Sequence, residues 1–234
     1  MRAVLLAGGL GTRLRPLTFS IPKPLLPVGE KPILEIILDR LKEFGFREFI
    51  LSVGYRAELI ETYFGDGTRF DAEIHYLKEE KPTGTAGPLH LLRQGFDIAD
   101  DETFLLMNGD VLTELDFHRF IDAHKSGAFE ISVGVKEIER QLPYGVLEIE
   151  NRLVRRIVEK PVSRHLISAG IYLLQGSVLP LVPADTYFTL PDLVERLVAE
   201  NRRVGSHLIR EFWLAVEHPD DMEEARSRIE AGSG

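Results

Sequence analysis

The 234-residue chain contains no cysteine. Disulfide frameworks, thiolate metal sites and a cysteine nucleophile are therefore excluded, and a reducing, cytoplasmic setting is expected. Long apolar runs are also missing. Residues 4–7 pass straight into glycines and arginines, too short for a signal-peptide core, and no later run is long enough to span a bilayer, so no membrane partner is expected. Basic charge is in deficit: 37 acidic residues outweigh 28 basic ones, for a formal net charge of -9. Neutralising a phosphate backbone needs a basic face, so no nucleic acid is expected as a partner. The seven histidines lack any metal-ligand spacing and receive no catalytic role.

What is present is enough apolar material, 44% of residues, to build one core. Residues 4–7 read as a first strand. Ile33, Leu34, Ile36, Ile37, Leu38, Leu41 and Phe44 recur at helical spacing and stop at Gly45. Strand and helix then repeat at 49–53 and 57–64, with strands at 73–77 and 103–107, a loop at 82–87 and helices at 89–95 and 117–126. The pattern afterwards is mostly strand-like, at 131–135, 146–150, 153–158 and 169–174, and this suggests a second lobe. Helices at 191–201 and 219–229, with short strands at 204–208 and 212–216, complete it. Such alternation predicts an α/β fold, a largely parallel sheet covered by helices on both faces.

Charge is placed unevenly. Within the first thirty residues Arg2, Arg13, Arg15 and Lys23 face Glu30 alone, so a net basic segment opens an acidic chain. That balance suits a small anion held locally. The same segment reads Leu6-Ala7-Gly8-Gly9-Leu10-Gly11-Thr12-Arg13, with Pro22-Lys23-Pro24-Leu25 following. Glycines directly after a strand let backbone N–H groups approach phosphates without side chains in the way, although a tight strand-to-helix turn uses them equally well. The dinucleotide fingerprint does not apply, because Leu14 stands at its third glycine and no acidic ribose ligand ends the next strand. The Walker pattern fails for want of Gly-Lys-Ser/Thr. A nucleotide-dependent oxidoreductase is thereby disfavoured.

The segment resembles the signature of sugar-phosphate nucleotidylyltransferases, and the likeness runs in order along nearly the whole chain, most similar to the mannose-1-phosphate guanylyltransferase group. The resemblance implies a three-layer α/β/α Rossmann-like mixed sheet with an inserted sugar-binding lobe. It implies one domain over 1–234, in which 1–127 mainly bind nucleotide and 128–234 mainly bind sugar and supply the C-terminal helix. Arg13 on the triphosphate and Lys23 on the reacting phosphates would be the catalytic cations, with Leu6, Ala7, Gly8, Gly9, Gly11 and Thr12 along the nucleotide. Gly54-Tyr55 and Gly84-Thr85-Ala86-Gly87-Pro88-Leu89 would line the base pocket, the latter in a form that makes GTP the expected nucleotide. By themselves Gly84 and Gly87 could equally shape a turn before a helix starting near Pro88.

Asn108-Gly109-Asp110 ends the most apolar strand, and ligand groups in such sheets sit at strand carboxyl ends. Asp110 is therefore the expected Mg²⁺ ligand, with Asn108 and Gly109 near the nucleotide. Tyr144-Gly145, Glu159-Lys160-Pro161 and Ala169-Gly170 resemble the sugar-side motifs, Glu159 suiting a pair of sugar hydroxyls and Lys160 the sugar phosphate. Two positions depart from the family. Ser168 replaces an asparagine that contacts the sugar. Ala215 replaces the aspartate that is the second metal ligand, and Glu217 stands where glycine is expected.

If 212–217 is one strand, positions 215 and 217 share a face and Glu217 could substitute as a ligand, although a solvated charge before the next helix is the plainer expectation. The expected reaction joins an NTP, GTP foremost, to a mannose- or heptose-like sugar 1-phosphate, releasing pyrophosphate; a homodimer is compatible with it. The alternatives are a degenerate or regulatory nucleotide-sugar-binding subunit with an impaired metal site, and a uridylyl, thymidylyl or cytidylyl member of the same family.

Overall fold

Residues 1–79 and 81–232 are described by a computed structural model of the chain. The first half runs β1 (Arg2–Leu6), β2 (Pro27–Val28), β3 (Lys31–Pro32), α1 (Ile33–Glu43), β4 (Glu48–Val53), α2 (Ala57–Phe64), β5 (Glu73–Lys78), α3 (Pro88–Gly95), β6 (Thr103–Asn108), β7 (Val111–Thr113) and α4 (Phe117–Ser126). The second runs β8 (Ile131–Gln141), β9 (Val146–Glu150), β10 (Leu153–Val158), β11 (Val162–Gln175), α5 (Leu190–Ala199), β12 (Val204–Leu208), β13 (Trp213–Ala215) and α6 (Pro219–Gly232).

Seven strands form one mixed sheet in the order β12-β8-β11-β6-β1-β4-β5. Strands β6, β1, β4 and β5 are mutually parallel, whereas β11 runs antiparallel to both β6 and β8. Successive side chains of the central strands enter opposite layers, as a period of two requires. Ala3, Leu5, Leu105 and Met107 pack in one apolar cluster with α1, α2 and α4, while Val4, Phe104 and Leu106 pack in the other with α3 and α5. A sheet buried on both faces is the middle layer of an α/β/α sandwich.

Local signals explain the helices. In α1 the buried residues Ile33, Leu34, Ile37, Leu38 and Leu41 make one apolar stripe, and Gly45 leaves the helix at φ +83°. Helix α5 starts in a capping box: Asp192 N donates to Thr189 Oγ1 at 3.3 Å and Thr189 N donates to Asp192 Oδ2 at 2.8 Å.

The second half differs from the pattern reading in one respect. The strands expected at 131–135 and 169–174 are only the inner parts of β8 and β11, which continue as a paired ribbon from Lys136–Ile167 to Gln141–Val162. This ribbon and the β9–β10 hairpin form an arm outside both apolar clusters, and all residues of β9 are exposed. Its outer residues are rich in charged and polar side chains and lack the continuous apolar run that marks the buried parts. Strands β2, β3 and β7, two or three residues long, are too short to show a period in the sequence.

Candidate active site

The carboxyl ends of β1, β4 and β6 meet at one edge of the sheet, held by backbone groups. Ala7 N donates to Ser52 O at 2.7 Å, and Gly109 N donates to Leu6 O at 2.9 Å. Glycine is required where these segments touch: a Cβ on Gly109 would lie 2.8 Å from Leu6 O, and one on Gly54 would lie 3.2 Å from Gly8 O. Gly11 has φ +59°, and its carbonyl accepts from Thr18 Oγ1 at 2.8 Å, folding the glycine segment back toward Lys23. Tyr55 OH donates to Thr18 O at 3.3 Å and Arg56 Nη2 to Phe19 O at 2.7 Å, so the start of α2 fastens the same loop. Arg56 was not anticipated from the sequence.

A cavity of about 240 Å³ opens on this loop, lined by Gly9, Gly11, Thr12, Arg13, Leu14, Lys23, Asp110 and Glu217. Four charges define it. Lys23 Nζ is ion-paired with Asp110 Oδ2, and Arg13 Nη1 lies 2.6 Å from Glu217 Oε2. Both catalytic cations expected from the sequence thus share a pocket with the expected metal ligand.

Glu217 is no merely solvated charge, and it does not arrive there as a strand neighbour of Ala215. Strand β13 stops at Ala215, paired with Val111, and the chain then turns with Val216 N donating to Asp110 O at 2.9 Å. That bond sets Glu217 beside the β6–β7 turn. The ion pair joins residues some 200 positions apart, which is why no local pattern revealed it.

The segment 83–87 is shaped by contacts with 188–190. Phe188 N donates to Thr83 O at 2.8 Å, and Gly84, at φ +85°, would place a Cβ only 2.5 Å from Phe188 O. Thr85 Oγ1 accepts from Leu190 N at 2.9 Å, and Ala86 is fully buried in the apolar layer. These two side chains, expected at the base, are therefore engaged in holding the loop, and so is the Ala86 backbone, whose N donates to Phe188 O at 3.1 Å.

Glu79 was missed. It follows β5 at the ligand end of the sheet, and its carboxylate accepts from Thr83 Oγ1, from Thr83 N at 3.3 Å and from Ser52 Oγ at 3.5 Å. Its Oε2 lies 3.4 Å from where a Gly8 Cβ would stand. Position at a strand's carboxyl end could have singled it out, but within Lys78-Glu79-Glu80-Lys81 it reads as solvated charge.

At the end of β6 Asn108 meets Gly170, where φ is +70° and a Cβ would lie 2.6 Å from Asn108 Nδ2. Trp213 Nε1 donates to Ala169 O at 2.8 Å, and Ser168 Oγ shares a 2.6 Å hydrogen bond with Tyr172 OH. Burial is the main cause that raises the Tyr172 phenol above its ordinary pKa. Tyr144, Gly145, Glu159 and Lys160 gather on the arm. Glu159 Oε2 lies 3.0 Å from a Cβ placed on Gly145, and Lys160 O accepts from Gln141 Nε2 at 3.3 Å. Among the described residues they make no hydrogen bond or ion pair with the glycine loop.

The donor set fits a hard cation. Asp110 and Glu217 offer carboxylate oxygens, and Mg²⁺ is commonly held by one or two carboxylates together with substrate phosphates and water. Among the described residues no three acidic or imidazole groups form a self-sufficient metal cage. The geometry therefore suits a cation delivered with phosphate.

A glycine loop, paired cations and an acidic strand end at the edge of an α/β/α sheet define a protein of the nucleotide-handling α/β class. More particularly, the chain belongs to the nucleotidyl transferase family, whose profile matches residues 2–232. It is 34% identical over 230 residues to mannose-1-phosphate guanylyltransferase 1 of Arabidopsis thaliana, covering 94% of this chain and 62% of that protein. A Drosophila pseudoobscura pseudoobscura relative, mannose-1-phosphate guanylyltransferase catalytic subunit beta, is 35% identical over 228 residues, covering 94% of this chain and 60% of its own length. The chain thus spans about three fifths of these relatives. The crystal structure of HddC from Yersinia pseudotuberculosis complexed with GMP-PN matches with a TM-score of 0.75 at 26% identity, over 97% of this chain and 99% of that one.

Proposed function

We propose that the chain transfers the nucleoside monophosphate of GTP to a mannose- or heptose-like sugar 1-phosphate, releasing pyrophosphate. The observation that carries this reading is the convergence of the glycine loop, Arg13, Lys23 and Asp110 on one cavity. The attacking group is a phosphate oxygen, which with a second pKa near about 6 is already ionised at neutral pH, so no general base is needed. Positioning and charge stabilisation remain. Backbone N–H groups of the loop, Arg13 and Lys23 offset the negative charge that gathers as pyrophosphate departs. Asp110 would hold Mg²⁺ together with the phosphates, and the ion would supply further neutralisation when bound. On the arm, Lys160 holds the sugar phosphate and Glu159 the sugar hydroxyls.

Glu79 supports the choice of base. An ionised carboxylate only accepts hydrogen bonds, and guanine presents an N–H and an amino group side by side on its pairing edge. Uracil and thymine present a single N–H between two carbonyls, which a carboxylate serves poorly. The reading includes a cytoplasmic setting and a homodimer, the latter supported by the exposed Leu147, Ile149, Leu153, Val154 and Ile157 of the arm.

Ala215 favours one second reading, a nucleotide-sugar-binding subunit without turnover. Pyrophosphate release, measured with Mg²⁺, a panel of sugar 1-phosphates and each of GTP, UTP, dTTP and CTP, decides between them. GTP is expected to be fastest. Preference for UTP or dTTP would overturn the base assignment, and nucleotide-sugar binding with no release for any pair would establish the second reading.

A further inference from the structure

Each cation of the proposed phosphate site is already paired with a carboxylate of the proposed metal site. Lys23 holds Asp110 and Arg13 holds Glu217, so the four formal charges cancel. Ala215, standing where a second carboxylate is expected, has no donor atom on its side chain. Glu217 is positioned firmly: Val216 N binds Asp110 O at 2.9 Å on one side, while on the other Glu217 N and His218 N donate to Asp221 Oδ2 at 2.7 and 2.6 Å. Both carboxylates therefore face one cavity from adjoining backbone segments.

The pairing has a thermodynamic consequence. A triphosphate entering without metal takes Arg13 and Lys23 and leaves two carboxylates facing its own charge. A cation entering without nucleotide must draw both carboxylates from their cations. When the two enter together, every charged group exchanges one opposite partner for another. Resting on the nucleotidyl-transfer reading, we infer that Glu217 supplies the second carboxylate of the metal site in place of Ala215, passing from Arg13 to the cation when metal and nucleotide enter together. Binding of the two is then reciprocally coupled.

Mn²⁺ tests this without turnover, through the electron paramagnetic resonance signal of the free ion, titrated with and without a GTP analogue carrying an α,β-methylene bridge, the ion held by the analogue alone being measured without protein and subtracted. In the unaltered chain the analogue should tighten Mn²⁺ binding by about fivefold or more, within the usual range of such couplings. Glu217→Gln should lose about tenfold in Mn²⁺ affinity in the presence of the analogue, and Ala215→Asp added to that variant should restore most of it. The variant should fold normally, because the Arg13–Glu217 pair is 60% and 45% exposed and such pairs add little to stability.

Unchanged Mn²⁺ affinity in Glu217→Gln, with loss in Asp110→Asn, would overturn the assignment of Glu217 alone. A double variant as weak as Glu217→Gln would refute the idea that 215 and 217 share one ligand position. Absence of any analogue-dependent Mn²⁺ binding in the unaltered chain would overturn this inference and the nucleotidyl-transfer reading together.

Discussion

Gly11→Ala probes how the glycine loop holds its shape. At φ +59° an alanine occupies the left-handed region, which costs about 1–2 kcal/mol for a residue bearing a Cβ. The new methyl would also stand 2.8 Å from Thr18 Cγ2 and 3.2 Å from Lys23 Cβ, and Thr18 is only 2% exposed, with little room to yield. Overpacking of this kind adds about 1–3 kcal/mol. Together the two effects predict a loss of about 2–5 kcal/mol, read by urea denaturation and as a fall in melting temperature of about 2–4 °C per kcal/mol for a chain of this size.

The second site separates the two effects. Thr18→Ser removes Cγ2 but keeps the hydroxyl that donates to Gly11 O. In that background the tightest contact is gone, and Gly11→Ala should cost the backbone share, about 1–2 kcal/mol, with only the milder contacts at Lys23 Cβ and Thr18 Cβ added, giving a coupling of about 1 kcal/mol or more between the positions. Additivity within about 0.5 kcal/mol would refute the argument that packing against Thr18 Cγ2 carries the cost.

Three further outcomes follow from the site and the core. Arg13→Ala and Lys23→Ala should each lower kcat by about a hundredfold or more, the scale for losing a donor aimed at developing charge, with unchanged circular dichroism; near-normal rates would assign the loop another purpose. Glu79→Gln should reduce the GTP-over-UTP ratio of kcat/KM by about tenfold or more, as expected when a charged acceptor is lost, and an unaltered ratio would remove Glu79 from base selection. Burial, with a smaller contribution from Lys125, lowers the pKa of His124, whose Nδ1 lies 2.8 Å from Ser132 Oγ. The unfolded chain then binds a proton near the ordinary value of about 6.5 while the folded chain resists it, so stability is lost as pH falls through that value. Melting temperature should drop between about pH 7.5 and 5.5, less steeply in His124→Asn, and a flat profile would contradict the buried neutral ring.

Much of this fold was legible because its signals are local. Helices α2 and α4 and strands β9, β10 and β12 lie where periodicity placed them. The outer halves of β8 and β11 were not legible, since Lys136 to Gln141 is almost wholly charged or polar and is a strand only because Val162 to Ile167 pairs with it. At the site, the glycine loop and Asp110 could be read from their positions at strand ends. The pairing of Arg13 with Glu217, the engagement of Thr85 by Leu190, and the approach of Glu79 to Gly8 are contacts between distant segments. They exist only once the sheet has brought three strand ends together.

The central claim, attack on the α-phosphorus of GTP, is tested most directly by the position of label in the products. With Mg²⁺ and a sugar 1-phosphate that supports turnover, α-³²P from GTP should appear in a nucleotide sugar and γ-³²P in pyrophosphate, in equal amounts. Label from the γ-position in inorganic phosphate, with none from the α-position in a sugar nucleotide, would contradict it.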